Sequence, residues 1–370
     1  MATLRSIESG DSPALAAFCA TFPGETRPES YWRDRFRFWW EENPHCPTEF
    51  PRGSLLESET GIGGMFALIP TPLQLAGEER LAANMSNWRV LPDMRKQSFA
   101  MFMHIMEMAK PYPVFNTTPT TTVEAILKRV PFLHFTSAIR QETVLLSQPS
   151  TMDPARGLRE VFRMARNWSG DWNEKALPLS LARTLGRYSR QWAQTRSAMT
   201  GTGDFYRATT IGPEFDRLWA RTRNRHVMTN VRSAKALEWY IQRNPQCQEY
   251  FLLVHATEGE VRGYGLFKRK ATKHWPDTES LLAVDLWGEY DEARKWRPLL
   301  AYAMTFARGL DIHVVRIPHY HAEMELALRG CGFLHPLPTL ATGYYHPPAG
   351  MAPPAPEEIH ASGNMGDVGL

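Results

Sequence analysis

Asp285 stands inside an otherwise apolar run, Leu281-Leu282-Ala283-Val284-Asp285-Leu286-Trp287. A carboxylate there costs free energy to bury unless something pairs with it. Two readings follow: a proton-handling group at a site, or a structural carboxylate held by backbone N–H groups or an arginine. His319-Tyr320-His321 opens a later helical pattern. Imidazoles titrate near neutrality and carry protons, although a surface helix start explains them as well. Arg156, Arg159, Arg163 and Arg166 recur every three or four residues, which on a helix makes one basic face. That face suits a polyphosphate or an acidic carrier, and equally plain solvent. Cys19, Cys46, Cys247 and Cys331 form no Cys-x-x-Cys pair and have no histidine pair at zinc spacing, so buried reduced thiols and no metal are expected.

The elements that would position these groups must come from 370 residues, which at about 100–200 residues per domain allows two or three domains, or one large one. A hydrophobic share of 43% with 22% charged excludes a wholly disordered chain and a fibre. A net charge of +3 leaves no footprint for nucleic acid. No uncharged apolar run reaches the about 18 residues of a spanning helix, so no membrane insertion is expected. Met1-Ala2-Thr3-Leu4-Arg5 leads into charged sequence without a signal-peptide core, which predicts a cytoplasmic protein.

Asn43-Pro44-His45-Cys46 recurs as Asn244-Pro245-Gln246-Cys247, and Phe132-Leu133-His134 as Phe333-Leu334-His335. The spacings, 244 − 43 and 333 − 132, are both 201 residues, a sign of duplication. An aromatic helical run precedes each Asn-Pro: Tyr31–Trp40 and Ala236–Ile241. A strand, a glycine-containing turn and another strand follow each, over Gly53–Ile69 and Tyr250–Lys268, which read as hairpins. Amphipathic helices, Val123–Val130 and Ala322–Gly330, precede each Phe-Leu-His. Strands alternating with helices predict an α/β (α+β) architecture of two mixed, partly parallel sheets flanked by helices. The expected division is 1–140, a helical Arg-rich connector over 141–203, a second copy over 204–346, and a disordered Pro/Ala/Gly-rich tail over 347–370.

Each copy resembles a domain of the GNAT acyltransferase superfamily, and the whole resembles tandem GNAT proteins, including those of surface-polysaccharide biosynthesis. The residues that carry this are Gly64–Pro70, Val90–Ala100 and Leu127–Phe132 in the first copy. In the second they are Phe215–Trp219, Gly263–Leu266 and Leu328–Phe333. The resemblance implies transfer of an acyl group, from acetyl-CoA or another acyl-CoA, to a small amine such as an amino sugar. It places the donor site at Val90 and at Arg95-Lys96-Gln97-Ser98-Phe99-Ala100, before a helix Met101–Ala109 whose free N–H groups would meet a diphosphate. Ser98 stands where the family has glycine. Asn116, ending the fifth strand, would touch the donor's pantetheine or the acceptor.

The family's base, a carboxylate on the fourth strand, is represented by Asp285 in the second copy; the first has Asn84 and Ser86, which could hold a water. The family's tyrosine acid is missing at Leu127 and Leu328, and Tyr320 with its flanking histidines is the substitute. The second copy's donor loop, Asp291–Leu300, has no small-residue pattern and begins with two acids, so it reads as degenerate. Alternatives are a donor on an acyl carrier protein or an aminoacyl-tRNA, or a non-catalytic protein that binds donor or partner.

Overall fold

A computed structural model of the chain describes residues 2–117, 119–130, 140–145, 203–271, 279–312, 314–319, 322–331, 333, 343–355, 358–360 and 362. The expected helices over 154–168 and 179–195, with their arginine face, lie outside them, as do Tyr320 and Phe132–His134. Contacts divide the chain into two compact units. Unit one comprises 1–138, 211–247 and 341–370; unit two comprises 139–210 and 248–340.

Unit one is built on one sheet. Its elements are β1 (Thr3–Ser6), α1 (Ser12–Thr21), α2 (Glu29–Phe36), β2 (Gly53–Ser58), β3 (Gly61–Leu75), β4 (Glu78–Val90), α3 (Ser98–Met108), β5 (Val114–Asn116) and α4 (Thr121–Leu127). The two strand segments expected between Thr60 and Ile69 are one 15-residue strand, nearly all buried, as a strand covered on both faces should be. The order is β1-β2-β3-β4-β5. β4 and β5 run parallel and the earlier pairs antiparallel. One face packs Phe66, Leu68, Met85, Phe102 and Ile105 into a core under α3.

Unit two begins with β6 (Arg140–Leu145) and β7 (Asp204–Ala208). The next stretch, α5 (Pro213–Thr222), β8 (Met228–Asn230) and α6 (Ala234–Ile241), belongs to unit one, where β8 pairs with the far end of β3. Unit two resumes with β9 (Tyr250–Thr257), β10 (Glu260–Ala271), β11 (Glu279–Gly288), α7 (Ala293–Gly309), β12 (Val314–His319) and α8 (Ala322–Gly330). The sheet order is β6-β12-β11-β10-β9-β7, with β11 and β12 parallel. Leu253, Phe267, Leu281, Leu300, Met304 and Leu328 form its core. Pro298 lies inside α7, past the first turn in which its ring would cost nothing.

The 201-residue spacing extends to whole elements: α1 and α5 differ by it at both ends. The two Asn-Pro turns share their bonding. Asn43 Nδ2 donates to the Trp39 carbonyl (3.1 Å) and Asn244 Nδ2 to that of Tyr240 (3.3 Å). Each Oδ1 accepts a backbone N–H two residues on at 2.9 Å. The closing strands are exchanged. β6 pairs with β12 in unit two, while β13 (Tyr344–His346) pairs with β5 in unit one. In the expected unstructured tail, Ile359–His360 form β14, parallel to β8. Extended backbone finds its partner there whatever the local composition.

His45, beside the first turn, gives a pH signature. Burial and nearby Lys235 push it down to about 4, and its Nε2 has no hydrogen-bond partner among the described residues. Between an unfolded value of about 6.5 and the folded value, the unfolded chain binds the extra proton, so stability drops as pH falls through that window. Thermal midpoints of the wild type are expected to fall there more steeply than those of His45→Phe. Equal slopes would acquit His45.

Candidate functional site in unit one

β4 and β5 are paired only at Ala83↔Val114 and Asn84↔Phe115. Beyond that point β4 continues to Val90, while β5 ends at Asn116. β4 also carries a bulge: Met65 faces Arg89 but Ala67 faces Ser86, and Asn87 between them has φ 52°. Such bulges re-aim side chains at the ends of a pairing.

Ala83, Met85, Trp88 and Val90 pack on the α3 side. Alternation sends Asn84 and Ser86, both buried, to the opposite face. The structure therefore separates Asn84 and Ser86 from Val90 and the start of α3. Asn116 is buried opposite Tyr344. The threonines after it include a cap: the Thr120 hydroxyl accepts the Val123 N–H at 3.3 Å, starting α4.

The helix start differs from the expected form. A 3₁₀ turn over Pro92–Gln97 runs directly into α3, so the Ser98 N–H is already bonded to the Arg95 carbonyl. Proline favours a helix start, and Pro92 moves the start upstream. Asp93 then sits in the first turn, where a carboxylate suits the helix but opposes a bound anion. Cationic side chains remain. Arg95 and Lys96 are exposed and, among the described residues, join no ion pair. Gln97 Oε1 is buried and accepts no hydrogen bond among them. The residues thus fit an anionic donor through arginine, lysine and an amide rather than through bare N–H groups. Phe99 and Met103, 60% and 48% exposed, continue this face as an apolar strip.

Sequence reasoning missed the network behind the bulge. Arg89 Nε donates to Asn87 Oδ1 (2.6 Å), and its NH2 to Glu25 Oε2 (2.7 Å). Asn87 Nδ2 reaches Cys19 Sγ at 3.3 Å. Burial pushes the Cys19 thiol up to about 11, so it is a packed, unreactive group. Burial also works against ionised Glu25, but hydrogen bonds from Arg27 and Arg89 outweigh it and hold the carboxyl far below its usual range. Ser54 Oγ and His104 Nδ1 lie 3.1 Å apart under α3; Ser54 is fully buried, so this pair is packing rather than a nucleophile.

Asp285, in unit two, is buried and accepts the Tyr264 hydroxyl at 2.7 Å. This bond gives the carboxylate a tyrosine partner and is compatible with both readings of the residue. Among the described residues no group of His, Cys, Asp or Glu could hold a metal ion, and no helix is long and apolar enough to cross a membrane.

No family model matches the chain. A stretch of 66 residues, 17% of the chain, is 38% identical to protein usg of Caulobacter vibrioides and covers 74% of that protein. Over that stretch, the chain belongs to the protein usg family. The usg-family segment is short, whereas solved structures are similar in fold over most of the chain. Saccharomyces cerevisiae N-myristoyltransferase with bound myristoyl-CoA matches with a TM-score of 0.57 at 11% identity, over 93% of this chain and 82% of that one. A GCN5-related N-acetyltransferase from Kribbella flavida matches at 0.55 and 13%, over 93% and 70%. At these identities the likeness is one of fold. The chain has the mixed α/β fold of the GNAT superfamily, with two mixed sheets flanked by helices.

Proposed function

We propose that this chain transfers an acyl group from an acyl-CoA thioester to a primary amine, with acetyl-CoA as donor and an amino sugar as the acceptor class. The observation that carries the reading is the parting of β4 from β5 beyond Asn84 and Phe115, beside a helix start whose two cations join no ion pair among the described residues. The β5-facing edge of β4 offers backbone groups to which a pantetheine amide can add as an extra strand. Arg95, Lys96 and the Gln97–Ala100 turn would hold the phosphates, with Val90 and Asn116 flanking the arm.

Attack by an amine requires loss of its proton and stabilisation of the carbonyl oxygen. Asn84 and Ser86 would orient water on β4. In unit two the same repeat position holds Asp285 (285 − 84 is 201), a proton-handling candidate for that unit by itself. The structural neighbours, an N-myristoyltransferase with bound myristoyl-CoA and a GCN5-related N-acetyltransferase, support the reaction class.

In calorimetry the wild type is expected to bind acetyl-CoA. Each cation removed in Arg95→Ala/Lys96→Ala should cost about 1.5–3 kcal/mol of binding free energy, roughly tenfold or more in affinity. Absence of binding, or unchanged affinity in the double variant, would remove the donor site. Phe99 and Met103 beside the two cations favour a second donor form, the acidic helix of an acyl carrier protein. Faster transfer from the carrier-bound thioester, suppressed by salt, would identify it.

A further inference from the structure

Unit two contains a cleft of about 360 Å³, near the small end of the range for small-molecule sites. His255, Arg262, Glu289, Tyr290 and Lys295 contribute to its wall. None of them belongs to the site proposed above. Tyr290 Oη lies 2.6 Å from His255 Nδ1. His255 is held flat against Phe205, with ring centroids 4.7 Å apart at 7°, and Trp296 meets Tyr290 edge-on at 4.6 Å. A Cβ on Gly263 or Gly288 would fall 2.6 or 2.8 Å from the Tyr290 ring. Bare backbone at both positions is what lets this phenol enter the cleft. Burial, with Glu289 alongside, pushes its hydroxyl well above the usual tyrosine value, so it stays a neutral hydrogen-bonding group.

The charges are balanced at the wall. Arg262 NH1 is 3.1 Å from Glu289 Oε2, and Lys295 is held by Asp291 one turn earlier. A ligand of one sign entering here would leave one member of an ion pair without its counter-charge. A ligand carrying both signs can insert, each end meeting the opposite charge, with no net charge brought into a partly desolvated wall.

We propose that this cleft binds a small zwitterion of the amino-acid type, its anionic group on Arg262 and its ammonium between Glu289 and the Tyr290–His255 pair. The assignment is independent of acyl transfer, because it is read by binding. In thermal-shift and calorimetric titrations of the full chain with the standard amino acids, at least one is expected to bind, and propionate and propylamine are expected to bind far more weakly. Glu289→Gln and Arg262→Met should each weaken that ligand by about tenfold or more, and Tyr290→Phe, which keeps the ring against its glycines, by less. Acetyl-CoA affinity should stay unchanged in all three. No shift with any amino acid, equal binding of the single-charge analogues, or unaltered affinity in both charge variants would overturn it.

Discussion

Arg89→Ala is expected to destabilise unit one by about 3–5 kcal/mol, the usual cost of removing one partner from a buried ion pair. The size follows from what the substitution leaves behind. The Glu25 side chain is 3% exposed and that of Arg89 15%. The guanidinium also lies 4.6 Å from the Trp32 ring centroid and 5.2 Å from that of Phe22. Alanine would leave the buried Glu25 carboxylate with the Arg27 side chain and the Thr26 and Arg27 N–H groups, free the Asn87 amide at the β4 bulge, and empty the space between two rings. Chemical denaturation of the single variants and of Glu25→Gln/Arg89→Ala would measure the coupling. The double variant should be less destabilised than the sum of the singles, because the stranded charge is gone. A loss in Arg89→Ala below about 1 kcal/mol would mean the pair behaves like an exposed one. Acid should also weaken unit one: a carboxylate held far below its unfolded value gives stability that is complete above the unfolded value and lost as pH falls toward the folded one.

That network shows where sequence reasoning stops. Local physics was legible. The Asn-Pro turns repeat their hydrogen bonds because an asparagine side chain closes its own turn, and the hairpins follow from apolar runs about glycine. The α8 boundaries, Ala322–Gly330, match the apolar spacing. Groups brought together by the sheet were hidden. Glu25 and Arg89 are 64 residues apart, and His255 and Tyr290 are 35 apart; no short motif marks either pair. The need of Asp285 for a partner was readable from its apolar strand, but the identity of Tyr264 was not, because register and bulge decide which residue on β10 reaches it. The start of α3 was misplaced for a local reason: Pro92 nucleates a helical turn six residues before the serine that resembled a phosphate-loop position.

Trp239→Ala tests the assignment that departs furthest from the sequence. Read as a duplication, residues 204–346 form one copy, and Trp239 belongs to its opening helices. Contacts instead put 211–247 in unit one. There the Trp239 ring stacks on Phe38 with centroids 5.1 Å apart, and its Nε1 donates to the Phe38 carbonyl at 3.1 Å. These two residues are themselves 201 apart, so corresponding places in the two repeats touch each other. Truncating a buried tryptophan costs about 3–5 kcal/mol, and the loss should fall on unit one. Hydrogen exchange is expected to speed up in β3 and β8 while β10 and β11 keep their protection. Trp239→Phe keeps most of the stacking and loses only the indole donor, leaving the Phe38 carbonyl unpaired, for about 1–3 kcal/mol. Loss of protection in β9–β11 instead would return α6 to the second copy. A graded loss confined to β3 and β8 would mean that neither repeat folds from its own contiguous segment, because residues of the second supply part of the first unit's core.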